Sequence, residues 1–186
     1  MNGTQVLPAD DAAWASAPSE RDDAIVLDPA RDFGAVYETH YPVVYRAVRA
    51  IVLDPDTAED ITQDAFVKAY RARHRYRPDG RLEGWLCTIA TREAISRLRW
   101  SRVQARLLEL MGRRTEVAAL PSPLGDHLGE LLAVLPPKQR ALVVLHFFHG
   151  YRYRELAVML RLPEGTVASR LSQALARMRD MARQLR

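Results

Sequence analysis

Between Arg154 and Leu175 the chain reads RELAVMLRLPEGTVASRLSQAL, and no other stretch constrains the fold as tightly. Leu156, Ala157 and Leu160 fall on one helical face, Leu162 sits in the turn, and Val167, Leu171 and Leu175 form a second apolar face. A small residue in the first helix permits close crossing by the second. The pattern therefore predicts two short helices meeting at an angle, a helix-turn-helix. The outward face of the second helix carries Ala168, Ser169, Ser172 and Gln173, short or polar side chains that can approach base edges. Gln173 has the donor and acceptor pair that suits adenine N6 and N7. Arg170, Arg177 and Arg179 are placed for phosphates. An ordinary antiparallel helix pair with a solvated basic face shares this apolar spacing. The Leu-Pro-Glu-Gly-Thr-Val turn and a local charge of +5 over residues 150–186 favour DNA binding.

The rest of the chain is helical by the same reasoning. From Phe33 onward, Val44, Ala47, Val48, Ile51 and Val52 follow the i, i+3, i+4 rule until Leu53-Asp54-Pro55 stops the helix. A second helix is predicted to open at Asp56, with Glu59 completing a capping box. It buries Ile61, Ala65, Phe66 and Ala69 and turns Asp56, Asp60, Gln63 and Asp64 outward. Arg71–Arg81 (RARHRYRPDGR) holds the Pro78-Asp79-Gly80 turn signal and reads as a charged loop. A third helix is expected over 82–106, buried through Leu86, Ala90, Ala94 and Leu98 and basic on another side. After the Leu120-Pro121-Ser122-Pro123 break, helices are expected over about 127–134, 137–149, 152–160 and 163–184. The predicted class is all-α: two small helical domains at 33–106 and 127–186, a flexible linker at 107–126, and a flexible acidic tail at 1–32.

Charge sharpens this division. The net +4 is made of −5 over residues 1–32, +7 over residues 71–106, +5 over residues 150–186 and −3 over the rest of the chain. Of the 27 bases only Lys68 and Lys138 are not Arg, whose rigid fork suits phosphate. The lone Cys87 excludes an internal disulfide, and no apolar run is long enough to span a membrane. A soluble, intracellular protein is expected.

Two sets of motifs carry a family resemblance. Leu135-Pro136-Pro137-Lys138-Gln139-Arg140, Gly150, Glu155-Leu156-Ala157 and Gly165-Thr166-Val167-Ala168-Ser169-Arg170-Leu171 resemble region 4 of bacterial sigma factors of the extracytoplasmic-function (ECF) class. Ala58-Glu59-Asp60-Ile61-Thr62-Gln63-Asp64-Ala65-Phe66 resembles region 2.2, and Gly84-Trp85-Leu86 with Ile89-Ala90 the start of region 2.4. The resemblance implies an alternative sigma factor, cytoplasmic and not an enzyme, that binds core RNA polymerase and directs promoter recognition, melting and initiation. It implies that Asp60, Gln63 and Asp64 meet the polymerase clamp helices. Tyr76 and Arg77, with His74 behind them, then handle a flipped −10 base, and Arg92, Ser96 and Arg99 meet the −10 element. Ala168, Ser169, Arg170, Ser172, Gln173 and Arg177 meet the −35 element. The linker passes near the polymerase cleft, and an anti-sigma factor is an expected partner.

The chain also departs from the family's pattern. Asn is common where Arg92 stands, Asp where Ser96 stands, and basic residues where Ala168 and Gln173 stand. Arg152 replaces the Ser or Thr that often caps the first helix of the turn motif. Tyr76 has two readings, a base-stacking platform or a ring packed back on the helices; for Trp85 a core role is expected. The −5 tail suggests intramolecular masking of the basic surfaces.

Rival chemistry is thin. A stand-alone helix-turn-helix regulator needs a dimerisation surface that no heptad supplies. A helical metal protein or enzyme would draw on Glu59, Asp60, Asp64 and a His. His146 and His149 are three apart and could share a helix face, but no acid or Cys supplies a third metal ligand nearby. No phosphate-cradling loop, nucleophile elbow or metal motif is present, so no catalytic residue, metal or cofactor is expected. Cys87 reads as a small core residue.

Overall fold

The computed structural model describes residues 27–77, 81–111 and 126–185. The expected acidic tail falls almost wholly outside the described residues, as do Pro78-Asp79-Gly80 and most of the expected linker. Every regular element among the described residues is helical: α1 (Phe33–Val52), α2 (Pro55–Ala72), α3 (Leu82–Leu110), α4 (Asp126–Ala133), α5 (Pro137–Val143), α6 (Tyr153–Leu160) and α7 (Glu164–Gln184).

Local chemistry sets the boundaries. Asp32 caps α1 by accepting from the Ala35 amide, and Leu53 ends it in the left-handed region at φ 68°. The cap of α2 is Asp54, which accepts from the Thr57 amide at 2.8 Å, and not the Asp56 expected from the capping-box spacing. Pro55 explains the difference. It takes the first helical position, where its missing N–H costs nothing, and this moves the cap one residue ahead of it. α2 extends through Ala72 into a 3₁₀ turn at Arg73–Arg75, so half of the expected charged loop is helical. α3 continues past Arg106 to Leu110, which makes residues 107–110 helical and not part of a flexible linker.

α1, α2 and α3 pack around Val44, Val48, Ile51, Ile61, Ala65, Phe66, Ala69, Leu86, Ala90 and Ala94. An aromatic group joins them, with the Tyr37 and Phe66 ring centroids 4.9 Å apart in edge-to-face contact. In the C-terminal half, α5 continues as a π-helical turn over Val144–Phe148 and stops at Gly150, whose φ of +68° suits glycine. The turn between α6 and α7 places Arg161 at φ 52°, with the Leu162 amide donating to the Ala157 carbonyl. Leu156 and Met159 of α6 meet Val167, Leu171 and Ala174 of α7. Ala174, one helical step before the expected Leu175, closes the buried stripe, and Leu175 is exposed. Arg152 lacks a capping hydroxyl, but the Glu155 carboxylate accepts its backbone N–H at 2.7 Å.

The two halves share one continuous core. Arg140, at the start of α5 and 6% exposed, is the central polar link. Its Nη1 donates to the Ile51 carbonyl at 2.8 Å and its Nη2 to the Leu135 carbonyl at 3.0 Å. Both acceptors lack a normal helical donor. The residue four after Ile51 is Pro55, which has no N–H, and the amide four after Leu135, that of Gln139, bonds to Pro136. Burial lowers the Arg140 pKa to about 10, which leaves the guanidinium charged at neutral pH.

Candidate nucleic-acid interface

Three surfaces carry the residues singled out in the sequence. On α2, Asp60, Gln63 and Asp64 are exposed together. Gln63 donates to the Glu59 carboxylate at 3.2 Å, and Asp64 lies 3.6 Å from the Arg97 guanidinium of α3. Both contacts are solvent-facing, so their strength is small and a partner displaces them easily. Among the described residues, no histidine joins this acidic face as a third ligand.

On α3, Arg92, Ser96 and Arg99 follow one another at spacings of four and three and so share a face. Ser96 and Arg99 are exposed, and with Trp100 and Val103 they line a shallow groove of about 290 Å³. A neighbouring groove of about 370 Å³ between α2 and α3 is lined by Asp64, Glu93, Ser96, Arg97 and Trp100. Trp100 itself is 64% exposed, a flat apolar ring that shares these grooves with Arg97 and Arg99, and it is not among the residues expected from sequence. Its signal was its place one residue beyond Arg99 on a basic helix. Arg92 is turned elsewhere. Its Nε donates to the Met159 carbonyl at 2.9 Å and its Nη2 to the Val158 carbonyl at 3.3 Å, capping the C-terminal end of α6 in the other half of the molecule. A cation belongs there, because the last carbonyls of a helix lack donors and carry the negative end of its dipole. Burial and the nearby Arg161 charge lower the Arg92 pKa.

Arg77 is exposed beyond the 3₁₀ turn, while Tyr76 lies against Trp85 with ring centroids 5.3 Å apart. Of the two readings of Tyr76, this geometry shows the packed-back ring; Trp85 is half-buried against the core, as expected. His74 is exposed on the 3₁₀ turn.

On α7, Ser169, Ser172, Gln173 and Arg177 are exposed, and Ala168 and Arg170 are half-buried. Ser169 donates to the Thr166 carbonyl, and the Gln173 side-chain oxygen accepts from Gln139 at 3.2 Å. The helix-turn-helix thus presents a polar face whose buried side is fixed by Val167 and Leu171.

Comparison with known proteins decides what these surfaces belong to. Residues 36–102 match the Sigma-70 region 2 family and residues 126–178 the Sigma-70, region 4 family. The ECF RNA polymerase sigma factor SigE of Mycolicibacterium smegmatis is 31% identical over 185 residues, covering 91% of this chain and 71% of that protein. The chain belongs to the ECF class of RNA polymerase sigma factors. SigM of Mycobacterium tuberculosis is 30% identical over 148 residues, covering 78% of this chain and 74% of that one. Among solved structures, the sigma factor RpoE of Bartonella quintana, in complex with the anti-sigma factor NepR, superposes with a TM-score of 0.67 at 25% identity. That match covers 82% of this chain and 97% of RpoE. CnrH, solved with the cytosolic domain of CnrY, shares the fold with a TM-score of 0.58 at 21% identity, covering 83% of this chain and 90% of that one.

As an alternative sigma factor the protein directs transcription initiation. A stand-alone helix-turn-helix regulator is not favoured, because the region 4 match follows a region 2 match in family order. Among the described residues of this sigma factor, no helix is long and apolar enough to cross a membrane.

Proposed function

We propose that this sigma factor works in the cytoplasm, without catalysis of its own, through one protein-binding and two DNA-binding surfaces. Asp60, Gln63 and Asp64 dock on core RNA polymerase, since an exposed carboxylate pair on one helix face suits a basic helical partner. Arg77, Arg92, Ser96 and Arg99 meet the −10 element, and Tyr76 joins them once it leaves Trp85. Ala168, Ser169, Arg170, Ser172, Gln173 and Arg177 meet the −35 element, with the Arg residues on phosphates.

One observation carries a further part of this reading: Arg92, assigned to the −10 element, is bonded to α6 of the −35-binding half. Elements about 25 base pairs apart are separated by roughly 85 Å of duplex at about 3.4 Å per step. A chain whose two halves touch cannot engage both at once. The arrangement described is a closed form that opens on the polymerase and promoter. The neighbouring RpoE structure, determined with an anti-sigma factor, supports an anti-sigma factor as the partner of the closed form.

Run-off transcription from a genomic promoter library with purified core polymerase tests the reading. Promoter-specific transcripts that depend on this protein support it. No transcript, together with no retention of core enzyme on a column of the protein, overturns it.

A further inference from the structure

Glu83 and Cys87 lie one turn apart on α3, and His149 follows the π-helical turn of the other half, 62 residues beyond Cys87. The fold brings them together. A carboxylate oxygen, the thiol sulfur and an imidazole nitrogen all lie within 4.8 Å of one another, and His149 Nδ1 is 3.9 Å from Glu83 Oε1. This overturns the sequence-based expectation that no acid or cysteine stands near these histidines. His146 plays no part, because its Nδ1 is 2.8 Å from the Tyr151 carbonyl.

Donors at zinc–ligand distances of about 2.0–2.3 Å sit roughly 3.3–3.8 Å apart in a tetrahedron. The observed spacing reaches that by a contraction of about 1.3 Å or less. The cluster is also shielded from water: Cys87 is fully buried, and the His149 and Glu83 side chains are 10% and 19% exposed. A second observation points the same way. Tyr151, 2% exposed, packs its ring beside Gly84, and its hydroxyl makes no well-formed hydrogen bond although the Cys87 thiol lies against it. A buried donor of this kind is costly unless it finds an acceptor. A neutral thiol is a poor one; a metal-bound thiolate is a good one.

We propose that Glu83, Cys87 and His149 form a Zn²⁺ site that ties region 2 to region 4, with water in the fourth position and the Tyr151 hydroxyl donating to the bound thiolate. Sulfur, imidazole and carboxylate form a borderline-soft donor set suited to zinc. The thiolate and the carboxylate cancel the charge of the cation, so the loaded site is neutral. Cys87 is a buried thiol in the free chain, so metal binding releases its proton to solvent. The loaded chain is held in the closed arrangement; its consequence for promoter binding rests on the function proposed above, whereas the site itself does not.

The test uses the full chain, stripped with chelator and titrated with Co²⁺ and then Zn²⁺. One Co²⁺ per chain, with tetrahedral d–d bands and a thiolate-to-cobalt charge-transfer band that Zn²⁺ removes, supports the site. Cys87→Ser removes the charge-transfer band and weakens Zn²⁺ binding by roughly 100-fold or more. Tyr151→Phe keeps the band and weakens binding about 10–100-fold, as loss of an outer-shell partner does. His149→Gln, at a position less buried than Cys87, weakens binding as Cys87→Ser does and serves if that variant fails to fold by circular dichroism. Sub-stoichiometric binding, absence of the charge-transfer band in the unmodified chain, or unchanged affinity in His149→Gln overturns the proposal.

Discussion

Arg140→Met removes the guanidinium that links the two halves while keeping most of the apolar volume of the side chain. The fork donates charged hydrogen bonds to the Ile51 and Leu135 carbonyls. Each such bond contributes about 1.5–3 kcal/mol, and a buried carbonyl left without a donor costs about 1–3 kcal/mol. Neither acceptor has a replacement, since Pro55 has no N–H and the Gln139 amide is engaged by Pro136. Allowing for non-additivity and for the desolvation that Met avoids, the expected loss is about 3–5 kcal/mol. With a urea slope near 2 kcal/mol/M, the midpoint falls by about 1.5–2.5 M. Two probes locate the damage. All three tryptophans, Trp14, Trp85 and Trp100, precede the second half, so fluorescence follows the N-terminal half while far-UV circular dichroism follows every helix. The variant should unfold earlier by both probes, with the dichroism transition leading as the C-terminal half loses its support. Arg140→Lys, which keeps the charge but loses the fork, should fall between. A midpoint shift equivalent to less than about 1 kcal/mol would show that Arg140 does not hold the two halves together.

Other perturbations separate the remaining claims. Asp54→Ala should cost about 1 kcal/mol through loss of the α2 cap, read by thermal melting. The bond to Thr57 lowers the Asp54 pKa in the folded state, so its contribution is present above the unfolded carboxylate value of 3.8. It is lost as the pH falls through the folded value, and Asp54→Asn should flatten the melting temperature over that window. Leu171→Ala, in the buried face of the helix-turn-helix, should cost about 2–5 kcal/mol and abolish −35 binding in a footprint while the tryptophan signal of the N-terminal half is kept. Asp64→Lys breaks only the exposed pair with Arg97, so stability should change by less than about 1 kcal/mol while co-purification with core polymerase is lost.

Much of the fold was legible because helical periodicity is a local signal. The stripe Val44, Val48 and Ile51, the Leu53-Asp54-Pro55 stop and the helix-turn-helix stripe all act within a few residues of themselves. Misplaced details had local causes of their own. The Asp54 cap was hidden by Pro55, which reads equally as a helix stop and as a helix start. Leu175 lies one step beyond Ala174 on nearly the same face, and the narrow contact with α6 takes the smaller residue. The α3 extension to Leu110 was masked because Trp100, Val103, Leu107 and Leu110 are exposed, so no buried stripe marks it. What could not be read was pairing between the halves. Arg92 looked like a residue on an open basic face, and nothing near it in sequence reveals that α6 ends against it. The meeting of Glu83 and Cys87 with His149, and the burial of Arg140 between Ile51 and Leu135, likewise depend on docking of distant segments.

On the function proposed above, one closed chain must open to bring its two DNA-binding halves to separate promoter elements. The most direct measurement is the distance between labels at two exposed positions, Gln104 on α3 and Arg183 on α7, first in the free chain and then in the core polymerase complex on promoter DNA. A single short distance is expected in the free chain, with an increase of tens of ångströms in the complex, toward the roughly 85 Å that separates the elements. An unchanged distance in a complex that still initiates at the promoter would contradict this opening.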